Sequence, residues 1–156
     1  MRFLVSLAFV MTLAFATVPP TVQAAGNLVP SKQDDPDTAQ GKAALKAEKW
    51  QTAVERFTSV VAKDARNADA QNYLGFAYRK LGNFELALKH YELALQIDPN
   101  HKAAHEYIGE AYLETKQLGK AEQHFEALKK LCSFCEERRD LDRAIKTFKQ
   151  KNNISS

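Results

Sequence analysis

The chain repeats itself at one fixed interval, the step from Gly41 to Gly75 and again to Gly109, which restricts it to architectures that stack copies of one small unit. At this offset Ala53, Ala87 and Ala121 also coincide. Phe57, Tyr91 and Phe125 form a third aligned set, and Trp50, Phe84 and Leu118 a fourth. Glycine suits the first helix of a pair where the second crosses closely, because a Cβ there would push the two apart. Alanine on the second helix faces that crossing, and a large ring follows four residues later on the same face. Seven helices are predicted near 37–48, 51–63, 68–81, 84–96, 102–115, 118–130 and 136–150. Their short connections require antiparallel neighbours.

The unit from Ala68 to His101 is the most complete, with Leu74-Gly75, Tyr78, Ala87, Tyr91 and Pro99. This pattern resembles the tetratricopeptide repeat (TPR) family. The third unit keeps Gly109, Tyr112, Ala121 and Phe125, but has Ile108 for Leu and Ser133 where Pro is usual. The first is the most divergent, with Ala44 for Tyr and Ala65 for Pro. Terminal repeats degenerate because they pack against one neighbour only. The resemblance spans about residues 34–135 and implies an all-α, right-handed α-solenoid of about three helix-turn-helix repeats. A TPR domain over 37–150 is expected, closed by a capping helix over 136–150. That helix carries Leu141, Ala144, Ile145 and Phe148 on one stripe, and Ser133 with Glu136 offers a capping box for its start.

The resemblance also implies a binding surface, since in this family the first helix of each pair lines a concave groove. By repeat position, the candidates in the first unit are Thr38, Lys42, Leu45 and Lys46. The second unit supplies Asp69, Asn72, Phe76, Arg79 and Lys80. The third supplies Ala103, Glu106, Glu110 and Glu114, the glutamates falling four apart on one helical face. Lys42, Lys46, Arg79 and Lys80 would make one end basic and the glutamates the other acidic. Such a dipolar groove, with Leu45 and Phe76 for apolar contact, would orient a peptide carrying both charge signs. The clamp with which some relatives grip chaperone tails is not matched. Its places hold Thr38, Lys42, Tyr73, Ala103 and Tyr107, and only Lys42 is cationic.

Cys132 and Cys135 are the only cysteines and lie between the third repeat and the closing helix. In an exported chain they read as a structural disulfide. The alternative is a periplasmic thiol-disulfide redox helper, since Cys-x-x-Cys at a helix N-terminus can lower a thiol pKa. That chemistry belongs to a strand-to-helix junction, and no strand is predicted. Zinc needs four ligands, and covalent haem attachment needs His where Glu136 stands. His101 and His105, four apart, read as packing residues, while His90 and His124 read as solvated. No metal, cofactor or catalytic residue is therefore expected, and no phosphate-binding or nucleophile motif is present.

Met1-Arg2, the apolar run Phe3–Phe15 and the small residues Val22-Gln23-Ala24 have the layout of a secretory signal peptide over 1–24. Cleavage after Ala24 would leave no integral membrane span, and the apolar run itself falls short of the roughly 20 residues a span requires. Residues 25–36 read as a flexible leader, after which Asp37 or Thr38 caps the first helix, and 151–156 as a disordered tail. The whole chain has 22 basic and 19 acidic residues, a balance that argues against nucleic acid as partner. These features point to an exported, periplasmic interaction scaffold for a protein or peptide segment. Self-association through the solenoid ends is a further reading.

Overall fold

Every hairpin closes through the same main-chain turn. The computed structural model describes residues 35–154, so the expected signal segment, most of the leader and the last two residues lie outside the described residues. Within them run α1 (Pro36–Lys46), α2 (Trp50–Lys63), α3 (Ala68–Lys80), α4 (Phe84–Ile97), α5 (Lys102–Glu114), α6 (Leu118–Leu131) and α7 (Glu136–Lys151), and no strand. Just beyond α1, α3 and α5, Glu48, Gly82 and Lys116 adopt left-handed φ values of 56°, 77° and 59°. The amides of Lys49, Asn83 and Gln117 then reach back to the carbonyls of Ala44, Tyr78 and Tyr112 at 2.9, 2.9 and 2.7 Å. This satisfies carbonyls that a helix end otherwise leaves open. Only Gly82 announces such a turn in sequence.

The opposite turns are also repeated. Asn67 Oδ1 accepts from the Ala70 amide at 2.9 Å, and His101 Nδ1, at the same register of the next unit, accepts from Ala104 at 3.2 Å. Each thereby caps the N-terminus of an inner helix. The first helix starts earlier than expected. Asp35, rather than Asp37 or Thr38, is the cap, accepting from the Asp37 amide at 2.8 Å with Pro36 at the first helical position. Lys63 of α2 binds both Asp35 and Asp37, at 2.9 and 2.8 Å, which ties the end of the expected leader to the fold.

Ring-into-glycine packing holds the pairs together. A Cβ built on Gly75 would lie 2.5 Å from the Tyr91 ring, and one on Gly41 would lie 2.7 Å from Phe57. The third unit breaks the pattern. Gly109 is met by Leu141 of α7, at 2.6 Å, and not by Phe125. Leu141 follows Tyr73 and Tyr107 in the repeat register, and its shorter branched side chain reaches into the slot that rings fill in the earlier units. Ala53, Ala87 and Ala121 are fully buried, as the alignment required.

α7 packs on α5 and α6 and runs to Lys151, so the tail begins later than expected. Its N-cap is Cys135, which makes no side-chain capping bond, and the predicted Ser133–Glu136 box does not form. The reason is local: the Cys132 and Cys135 sulfurs come within bonding distance, with Cα atoms 5.8 Å apart, and this tight loop positions the chain instead.

Candidate functional site

The inner helices share repeat registers, and neighbouring units decide which of those positions stay accessible. Thr38, Asn72, Glu106 and Asp140 occupy one register; Leu45, Arg79, Leu113 and Thr147 occupy another. Units with a neighbour on each side bury these positions. Asn72 is 2 % exposed, Arg79 6 % and Glu106 9 %. Asn72 and Glu106 are therefore interior groups, a correction to the sequence reading, whereas Arg79 is buried but still borders the groove described below. Lys42, Lys46 and Lys80 are exposed, and Leu45 and Phe76 are half-buried against the core.

The expected dipole is cancelled inside the protein. Arg79 Nη2 binds Glu110 at 2.7 Å and Nη1 binds Glu114 at 2.8 Å. The guanidinium also lies over Phe76 and Tyr107, 5.5 and 5.7 Å from the ring centres. Two of the three acidic groups and the most central basic one thus neutralise each other. A planar, delocalised cation suits this place, since it can fork to two carboxylates while stacking between rings.

Glu106 has no such partner. Burial, reinforced by the carboxylates of Glu110, Asp140 and Glu137, pushes its carboxyl up to about 8, with Arg79 opposing. The unfolded chain would release that proton near 4.5, so the contribution of Glu106 to stability is full below that pH. It is lost progressively as pH rises from there through about 8. Glu106→Gln, which cannot ionise, is expected to raise Tm by about 3–6 °C at pH 8 and to stay nearly level with the parent at pH 4.5. Thermal melts at the two pH values check this, and an equal shift at both would rule the mechanism out.

What remains open on this side is a groove of about 580 Å³ between α3, α5 and α7. The Arg79–Glu110–Glu114 cluster borders it, Lys80 and Lys151 add positive charge, Arg143 and Asp140 pair with each other at 3.1 Å, and Leu113, Ala144 and Phe148 give an apolar component. Roughly half of this lining comes from α7, which the sequence reading treated only as a cap. The signal was present. α7 starts one repeat interval after α5 and places Asp140 at the register of Glu106 and Phe148 at that of Glu114. It occupies the place of the first helix of a fourth unit.

The histidines of the second helices depart from expectation. His90 and His124 are half-buried and bonded, not solvated: His90 Nδ1 lies 2.8 Å from Gln71 Oε1, and His124 Nδ1 lies 3.0 Å from His105 Nδ1. Among the described residues no helix is long and apolar enough to cross a membrane, and no group of three His, Cys, Asp or Glu could hold a metal.

Two family models described as tetratricopeptide repeat match residues 38–102 and 78–131. No curated protein sequence matches the chain. Among solved structures, the second TPR domain of human RPAP3, in complex with the HSP70 peptide SGPTIEEVD, is 25% identical. That match covers 72% of this chain and 92% of that one, with a TM-score of 0.65. The TPR2B domain of yeast Sti1, in complex with pHsp70, is 20% identical, covering 74% and 94% at a TM-score of 0.68. The type III secretion translocator chaperone SycD of Yersinia enterocolitica is 17% identical, covering 75% and 83% at 0.67. None of these names points to thiol redox chemistry. With ring-into-glycine hairpins recurring at the fixed interval and both family models falling on them, the chain belongs to the tetratricopeptide repeat family.

Proposed function

We propose that this protein is an exported adaptor that holds a polypeptide segment of mixed charge in the groove between α3, α5 and α7. The observation that carries the reading is the groove's lining. Charges of both signs flank an apolar strip, with Lys80, Arg143 and Lys151 exposed along it. The peptide complex of the second RPAP3 domain supports the class of ligand. The acidic chaperone tail is a poorer fit here. Arg79 is already occupied by Glu110 and Glu114, and the clamp positions supply one cation, Lys42. Export is read from residues 1–24. In that setting the Cys132–Cys135 pair serves as a structural bridge that fixes where α7 begins, and so where the groove ends.

Site-specific photo-crosslinking in the native host tests both halves of the reading. A benzophenone side chain at Thr147, exposed on the groove, is expected to capture a discrete protein, whereas one at Ser59, exposed on α2, is not. Lys80→Glu combined with Arg143→Glu should reduce capture at Thr147 by about tenfold or more, on the order of 1.4 kcal/mol. Equal labelling from the two positions, or capture indifferent to the charge reversal, would sink the groove. N-terminal sequencing of the recovered protein should begin at Ala25, and a chain starting at Met1 would end the export reading.

A further inference from the structure

His105 of α5 and His124 of α6 face each other across their hairpin, away from any residue used in the groove. Their Nδ1 atoms are 3.0 Å apart, and their ring centres 5.2 Å apart. His105 Nε2 lies 3.1 Å from the Pro99 carbonyl oxygen. A carbonyl only accepts, so Nε2 carries the His105 proton and Nδ1 of the neutral ring offers a lone pair. The hydrogen between the two rings must then sit on His124 Nδ1. His124 is stacked on Tyr112, 5.8 Å between centres, and borders a surface pocket of about 300 Å³ with Glu92 and Gln96.

We propose that His105 and His124 form a two-nitrogen binding site for a divalent transition-metal ion of the copper and nickel class. Two features support it. First, a backbone carbonyl on the far nitrogen is how proteins fix the tautomer and direction of a ligating histidine, and Pro99 provides this for His105. Second, the spacing selects a geometry. With metal–nitrogen bonds of about 2.0–2.1 Å, a 3.0 Å separation subtends about 95° at the ion. That is an adjacent pair of corners in a square or octahedral arrangement, narrower than the tetrahedral angle zinc prefers, and imidazole pairs in tetragonal sites suit Cu(II) and Ni(II).

Binding needs modest rotation of each ring, so that both lone pairs converge beside the present hydrogen-bond axis. The His124 proton moves from Nδ1 to Nε2 of the same neutral ring, with no net proton released. No third His, Cys, Asp or Glu joins the pair among the described residues, so water completes the shell, and the adjoining pocket leaves room for it. The other two histidines are engaged elsewhere, His90 with Gln71 and His101 with Asp69. The pair is invisible in sequence because 19 positions separate its members.

The test is titration of the untagged protein with Cu(II) alone and Ni(II) alone, read by calorimetry and, for copper, by electron paramagnetic resonance. One ion per chain is expected, with hyperfine structure from two nitrogens. His105→Gln and His124→Gln should each weaken binding at least about tenfold, while His90→Gln and His101→Gln leave it unchanged. Paramagnetic broadening of the native protein's amide resonances gives a readout that needs no variant, and it should centre on His105 and His124. Absence of Cu(II) and Ni(II) binding, equal binding by the His105→Gln/His124→Gln double variant, or broadening centred elsewhere would each overturn the site.

Discussion

Tyr91→Ala is expected to remove about 3–5 kcal/mol of folding free energy, as truncation of a buried aromatic ring does. Tyr91 is fully buried, lies against Gly75 and sits 6.2 Å from the Tyr107 ring, so it links α3, α4 and α5. A loss of that size is a large share of the roughly 5–15 kcal/mol that holds a domain folded. Urea unfolding should show a much lower midpoint with an unchanged slope. Tyr91→Phe keeps the ring and removes only a buried hydroxyl that has no hydrogen-bond partner among the described residues, so it should be neutral or slightly stabilising. If both variants lose the same amount, the ring is not the element that matters.

Leu141→Ala should cost about 2–5 kcal/mol, and the damage should stay local. Leu141 is fully buried and fills the slot over Gly109, so its loss opens a cavity between α5 and α7. In a stack where each unit touches only its neighbours, disruption fades within a unit. Amide hydrogen exchange should therefore accelerate in α7, and little in α1 and α2. Because α7 supplies much of the groove, crosslinking from Thr147 should fall in parallel. Uniform acceleration across all seven helices would show that α7 is not a separable wall.

Much of this architecture is legible in the chain itself. The aligned glycines, alanines and rings predict the helix pairs that form, although the residues set into Gly41 and Gly75 are the rings of Phe57 and Tyr91 and not the alanines expected there. Repeat position also picks out α3 and α5, two of the three helices that line the groove. What it does not convey is depth. Asn72, Arg79 and Glu106 carry polar side chains at positions that look like groove, yet adjacent units close over them. Charge was the misleading signal: Arg79, Glu110 and Glu114 are separate ends of a dipole in sequence and one ion cluster in space. Asp140 and Arg143 were concealed differently, because α7 lacks the glycine that marks every other inner helix; Arg143 stands in its place. His105 and His124 meet across a hairpin, and no spacing rule joins them.

The left-handed turns at Glu48, Gly82 and Lys116 rest on main-chain bonds, and their side chains take no part in the closure. One already carries negative charge, one none and one positive. That rim can accordingly drift in chemistry from unit to unit while the stacking beneath it is preserved, so related proteins can wear unlike edges over the same skeleton.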